Sequence, residues 1–156
     1  MRFIWILFFV SAIQATAACA QPSRTFVSAG INIGYLFGEG GGGVFGFEIS
    51  ATNMREGRPV PILGVAAKYD MWGVSSTKFH VAAELASGFG GVSFGPTWAH
   101  RESEPMFGYT GTVWTGLGLM PYYAYCWFGG NRNLGELGCY LKYPFQVAGE
   151  KLGWTN

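Results

Sequence analysis

Charge is scarce in this chain. Asp, Glu, Lys and Arg together make up 12% of it, about half the share usual in a soluble domain. Ten basic and nine acidic residues nearly cancel, so no basic field for nucleic acid and no acidic tail exists. The three cysteines include no Cys-x-x-Cys pair, and the two histidines, His80 and His100, stand far apart. No cluster has the spacing of a metal site, and no cofactor is implied. The glycine run at 40–43 lacks the following Lys-Ser/Thr and helix of a phosphate loop. Beyond the first twenty residues no apolar run reaches the roughly 18 needed for a membrane helix, and no helical period recurs.

Glycine and aromatic side chains are abundant: 25 glycines, and 17% Phe, Trp and Tyr. The chain opens MRFIWILFFVSAIQATAACA, with Arg2 basic, Phe3 to Val10 apolar, and Ala18-Cys19-Ala20 a small-x-small cleavage pattern. That is the pattern of a secretory signal peptide over residues 1–20, which leaves 21–156 as one domain. Lipidation at Cys19 is the alternative, but Thr16 stands where such sites favour Leu. A neutral, exported, glycine-rich and aromatic-rich chain is unusual in water and ordinary for a barrel with hydrocarbon outside.

The remaining chain has period two. Val27, Ala29, Ile31, Ile33, Tyr35 and Phe37 alternate with Ser28, Gly30, Asn32 and Gly34, so the strand has two unlike faces. Gly38 to Gly43 predicts a tight hairpin, since Gly accepts the positive φ of such turns. Phe45, Phe47, Ile49 and Ala51 then oppose Gly46, Glu48, Ser50 and Thr52. Equivalent alternation follows around Leu63–Met71, Phe79–Leu85, Val92–Trp98 and Leu137–Phe145. Residues 99–106, AHRESEPM, form the most polar loop; 108–119 are expected as one strand ended by Pro121, and Tyr122–Phe128 as a short one. The expectation is all-β: eight antiparallel strands in an up-and-down barrel.

Charge parity sharpens this. Glu48, Lys68, Asp70, Lys78, Glu84, Glu136 and Lys142 all fall on the polar parity of their strands, and the other charges fall in turns or termini. That face is otherwise mostly Gly, Ser and Ala, which suits a narrow eight-stranded interior filled by side chains. Charges there persist only when paired. The opposite parity suits hydrocarbon, and backbone satisfaction in lipid then requires a closed barrel.

The leader, the eight alternating segments and the last strand, ELGCYLKYPF, resemble the small outer-membrane β-barrel class of Gram-negative bacteria. Glu136, Gly138, Leu141 and Tyr143 match the polar-x-Gly-x-x-apolar-x-apolar pattern of that class's C-terminal assembly signal. The resemblance implies a bacterial outer-membrane location, outer-membrane lipid around the wall, and recognition by the barrel assembly machinery. It leaves oligomeric state and activity open, since the class includes structural barrels, adhesion or serum-resistance barrels and lipid A-modifying enzymes.

Three groups stand out as candidate sites. His80, with Glu48, Lys68, Asp70, Lys78, Glu84, Glu136 and Lys142, forms either a lumen-filling polar network or a proton-handling site; the network is favoured because buried polar groups usually serve structure. His100, Glu102 and Ser103 invite a hydrolase or acyltransferase reading, with Ser103 as nucleophile and His100 as base, although no Gly-x-Ser-x-Gly turn accompanies them. Cys126 and Cys139 flank the last hairpin, where pairing centred on 131–133 brings them opposite, as a disulfide or as two thiols. Trp72, Trp98, Trp114, Trp127, Tyr122, Tyr123 and Tyr125 serve interfacial girdles or fill the interior. The favoured role is structural or surface-interacting without catalysis. The alternatives are an outer-leaflet lipid-modifying enzyme and a secreted soluble barrel holding an apolar ligand.

Overall fold

The structure is a computed structural model that describes residues 23–38, 40–55, 62–87, 89–102, 104–116, 118–129 and 132–149. The leader, Cys19 and Ser103 lie outside the described residues. Eight strands follow one another: β1 (Ser23–Phe37), β2 (Gly42–Arg55), β3 (Ile62–Trp72), β4 (Ser76–Ser87), β5 (Gly90–Arg101), β6 (Glu104–Thr115), β7 (Leu119–Trp127) and β8 (Leu134–Ala148). Each pairs antiparallel with the next, and β8 pairs with β1 to close the barrel. β1 begins and β8 finishes at one end of the barrel, here the terminal end. The β1–β2, β3–β4, β5–β6 and β7–β8 connections lie at the other, the turn end.

Closure requires a tilt, and the registers give it. The partners Phe26, Thr52, Gly64, Glu84, Ser93, Thr112, Ala124, Glu136 and Leu36 form one path at right angles to the strands. It returns to β1 ten residues beyond its start. For eight strands that stagger corresponds to a tilt of roughly 40°, in the usual range for barrels, and to an interior that side chains can fill.

The two parities separate as the alternation implies. Asn32, Glu48, Lys68, Asp70, Lys78, His80, Glu84 and Glu136 are buried in the lumen, whereas Ile33 (62% exposed), Ile49 (61%) and Leu141 (56%) face outward. Leu36, Val44, Trp72, Ala99, Met106, Cys126 and Leu134 pack together inside near the turn end, with Phe128 against them. Nearer the terminal end, Met120, Tyr122, Ala124 and Tyr140 pack together with Trp114 beside them. Trp72 and Tyr122 therefore fill the lumen, while Trp98, Trp127 and Tyr123 stand on the outer wall. Outside, aromatic rings meet in a row across β4 to β6, from Phe79–Trp98 through Trp98–Phe107 and Phe107–Tyr109 to the stacked pair Phe94–Tyr109.

The β1–β2 hairpin turns through Gly38 (φ 120°) and Gly40 (φ 70°), and the Gly41 N–H donates to the Gly38 carbonyl at 3.1 Å. Two expectations need correction. Residues 99–106 are not a loop: β5 runs to Arg101, β6 begins at Glu104, and Arg101 pairs with Glu104. A tight hairpin needs polar residues at its rim as much as a loop does, so polarity alone misled. Pro121 does not end a strand but lies inside β7, opposite Cys139. It is tolerated because the β6–β7 ladder stops at Trp114↔Tyr122, one position short of it. Pro96 interrupts the β4–β5 ladder in the same way, between His80↔Thr97 and Ala83↔Phe94.

Candidate functional site

Glycines on the inward parity make the room that the long polar side chains occupy. A Cβ at Gly46 would sit 2.3 Å from Asp70 Oδ1 and 2.6 Å from Asn32 Oδ1; one at Gly138 would sit 2.7 Å from the Tyr122 hydroxyl. Into that space β3 and β4 send Asp70 and Lys78, which are direct cross-strand partners. β8 sends Glu136 from across the lumen. Lys68 Nζ lies 2.8 Å from Glu136 Oε1 and 3.3 Å from Asp70 Oδ2; Lys78 Nζ lies 3.1 Å from Asp70 Oδ2 and contacts Glu136 Oε2. Two ammonium groups and two carboxylates thus alternate around a closed ring with no net charge. Asn32 Nδ2 donates to Asp70 Oδ1 at 2.9 Å, the Tyr122 hydroxyl donates to Glu136, and Lys68 Nζ lies 4.4 Å from the Tyr122 ring centre.

A second group lies closer to the terminal end. Lys142 Nζ contacts Glu48, stands 4.9 Å from the Tyr140 ring centre and reaches Glu84 only at 3.8 Å. A third thread runs along β4 to β7. His80 Nδ1 is 2.9 Å from Thr97 Oγ1 and 3.2 Å from the Pro96 carbonyl, Thr97 is 2.6 Å from Thr110, and the Thr110 hydroxyl donates to Cys126 Sγ at 3.1 Å. His80 Nε2 is buried without a partner.

The seven charged residues singled out by parity therefore lie in two clusters, and His80 reaches the first through Thr97, Thr110 and Cys126, to whose Sγ Lys78 Nζ donates at 3.9 Å. Such rings bind walls together, because breaking one partner of a buried pair strands a charge where it is poorly solvated. Asn32, Thr97, Thr110 and Tyr122 complete these networks. Their alternation places them inside, but nothing in the sequence assigns their partners. Among the described residues no three His, Cys, Asp or Glu side chains gather as a metal site.

The two cysteines are not opposite. Cys126 pairs with Leu134 and Cys139 with Pro121, so the hairpin is centred on residue 130 rather than 131–133. That shift puts the two thiols on opposite faces: Cys126 is fully buried in the lumen and Cys139 lies on the wall, and both are free. The expectation that they lie opposite is corrected, and of its two readings, disulfide or two thiols, the register leaves the thiols, since side chains on opposite faces of a sheet cannot bridge. Of the supposed catalytic group, Ser103 lies outside the described residues. His100 is exposed on the outward parity of β5, between Thr77 and Pro105, and Glu102 sits in the turn with φ 49°.

Beneath the second charge group, toward the terminal end, the packing opens into a cavity of about 260 Å³. Glu84, Lys142, Ser50 and Thr52 supply its polar lining, and Trp114, Met120, Met54 and Ile62 its apolar one. Neither a protein-family model nor a curated protein matches the sequence.

Proposed function

We propose that this chain is an exported integral protein of the bacterial outer membrane, with lipid around its wall and a lumen closed to solutes. The observation that carries this is the outward parity of the wall. Among the described side chains of the eight strands, no Lys, Arg, Asp or Glu occupies that parity. Large apolar residues such as Ile33, Phe47, Leu63, Phe94, Leu137 and Leu141 stand exposed there. In water such a surface would drive aggregation; in hydrocarbon it is the favourable one, and charge is excluded from it.

A soluble carrier of an apolar ligand requires the reverse distribution, with apolar residues lining the lumen and charges outside. The ring of Lys68, Lys78, Asp70 and Glu136 across the middle and the packed cluster around Leu36, Trp72 and Leu134 fill the lumen with side chains, which supports a barrel closed to hydrated solutes. The role that fits is structural or surface-interacting, without catalysis. The turn-end connections span only residues 38–41, 73–75, 102–103 and 128–133, so interactions fall to the wall and rims rather than to long loops.

The test is fractionation of the expressed full chain, followed by gels of unboiled and boiled samples. Recovery in outer membranes with a mobility shift on boiling is expected. Recovery in the soluble periplasm without a shift would overturn the reading.

A further inference from the structure

At the terminal-end cavity one charged side chain of the described lumen, Glu84, meets its partner less closely than those of the ring do. Glu48 and Glu84 share the single ammonium of Lys142, which is in contact with Glu48 and drawn over Tyr140. Glu84 is left with that one ion pair at 3.8 Å although only 6% exposed. Glu84 and Lys142 line the cavity and Glu48 does not, so the carboxylate there meets only an ammonium already held by Glu48. Arg24, on β1 at the same end, already has a partner and does not line it. The group therefore carries one more negative than positive charge, next to unfilled space.

Trp114, two strands along on β6, lines the same cavity. The Trp114 indole lies against Gly91, where a Cβ would come within 2.4 Å of Cζ2. A buried carboxylate with one long ion pair, in a cavity that an indole also lines, suits an organic ammonium ion: the charge attracts it and an aromatic ring in the same cavity adds to that attraction. Met54, Ile62 and Met120 provide apolar surface toward the opening. A volume of about 260 Å³ lies just under the roughly 300–1,000 Å³ of drug-sized sites, so the occupant is of fragment size.

We propose that this cavity binds a small organic monocation with an apolar body, an alkyl- or arylalkylammonium. The ammonium group sits between Glu84 and Trp114, and the apolar body extends toward Met54 and Met120. A carboxylate of the same shape would add a third negative charge, and a neutral chain would leave Glu84 no better neutralised. The inference does not depend on what surrounds the wall: loss of binding with outer-membrane recovery intact would defeat it alone.

The experiment uses the full mature chain refolded in phosphatidylcholine nanodiscs and titrated with hexylammonium, 1-hexanol and hexanoate. Tryptophan emission and calorimetry are read together. Hexylammonium is expected to give a saturable response, absent from the emission of Trp114→Phe and weakened about tenfold in Glu84→Gln, as for loss of one charged hydrogen bond. Equal binding of hexanoate, unaltered affinity in Glu84→Gln, or a non-saturating response shared by all variants would overturn the proposal. If Trp114→Phe does not reach the folded gel mobility, the calorimetric comparison of Glu84→Gln with the unaltered chain decides.

Discussion

Replacing Glu136 tests whether the lumen is a dry, charge-paired core. Glu136 is fully buried and is the shared acceptor for Lys68, Lys78 and the Tyr122 hydroxyl. In Glu136→Gln the ring falls from two carboxylates to one while both ammonium groups remain, at 4% and 2% exposure. Breaking a buried pair from one side typically costs about 3–5 kcal/mol, because the remaining charge is uncompensated. The amide keeps the shape and still accepts from Tyr122, so the lower end, about 3 kcal/mol, is expected. Glu136→Ala adds a cavity and lost hydrogen bonds and should reach about 5 kcal/mol or more. Lys78→Met alone strands the opposite charge and costs a similar amount. The double variant Lys78→Met/Glu136→Gln retains Lys68 with Asp70 at 3.3 Å and should fall within about 1–2 kcal/mol of the parent, since a neutral replacement of a buried pair is often tolerated. The assay is reversible urea unfolding in lipid vesicles, followed by tryptophan emission and gel mobility. Single losses that simply add in the double variant, within about 0.5 kcal/mol, would mean that water screens these charges, and the reasoning about a packed lumen would be refuted.

Three further outcomes are expected. Ile33→Lys places a charge on the outward wall at mid-barrel and should destabilise the protein in bilayers by about 2–4 kcal/mol, measured by the same unfolding assay; a change under about 0.5 kcal/mol would argue that Ile33 faces water. Gly95→Ala brings a Cβ to 1.9 Å from the Val81 carbonyl oxygen and 2.8 Å from Ala82 Cα, so it should cost about 1–3 kcal/mol by overpacking against backbone, and an unchanged midpoint would contradict the close β4–β5 approach. Unfolded without reductant, the mature chain should titrate both Cys126 and Cys139 as thiols, and its unfolding midpoint should not move when reductant is added; a lowered midpoint would restore the disulfide.

The outcomes differ residue by residue according to the range of the interaction. Alternation is local, so strand existence and facing can be read wherever hydrophobicity switches at every step, as from Val27 to Phe37. It also places Tyr122 on the face of Ala124 and Cys126, although its aromatic ring equally suits an interfacial girdle. Turn position is less legible. The run at 99–106 is polar because it is a rim, and its composition does not distinguish a tight hairpin from a long loop. The last hairpin carries turn residues over 129–133, and the actual centre differs from the symmetric choice by enough to reverse the relative facing of the two cysteines. Pro121 reads as a strand end because its missing N–H is costly only where a ladder continues, and the early end of β6 lies in another segment.

By itself the sequence determined the number of strands, their period, and which parity could carry charge. These follow from the chemistry of neighbours two residues apart. Only the tertiary structure decided that Lys78 meets Glu136, that Glu84 lacks a close cation, and that an open space remains beside Trp114. Those contacts depend on closure and on the ten-residue stagger, which sets heights around the wall through eight registers together. A strand's own residues encode the face each side chain takes. The residue met across the lumen is a property of the closed ring.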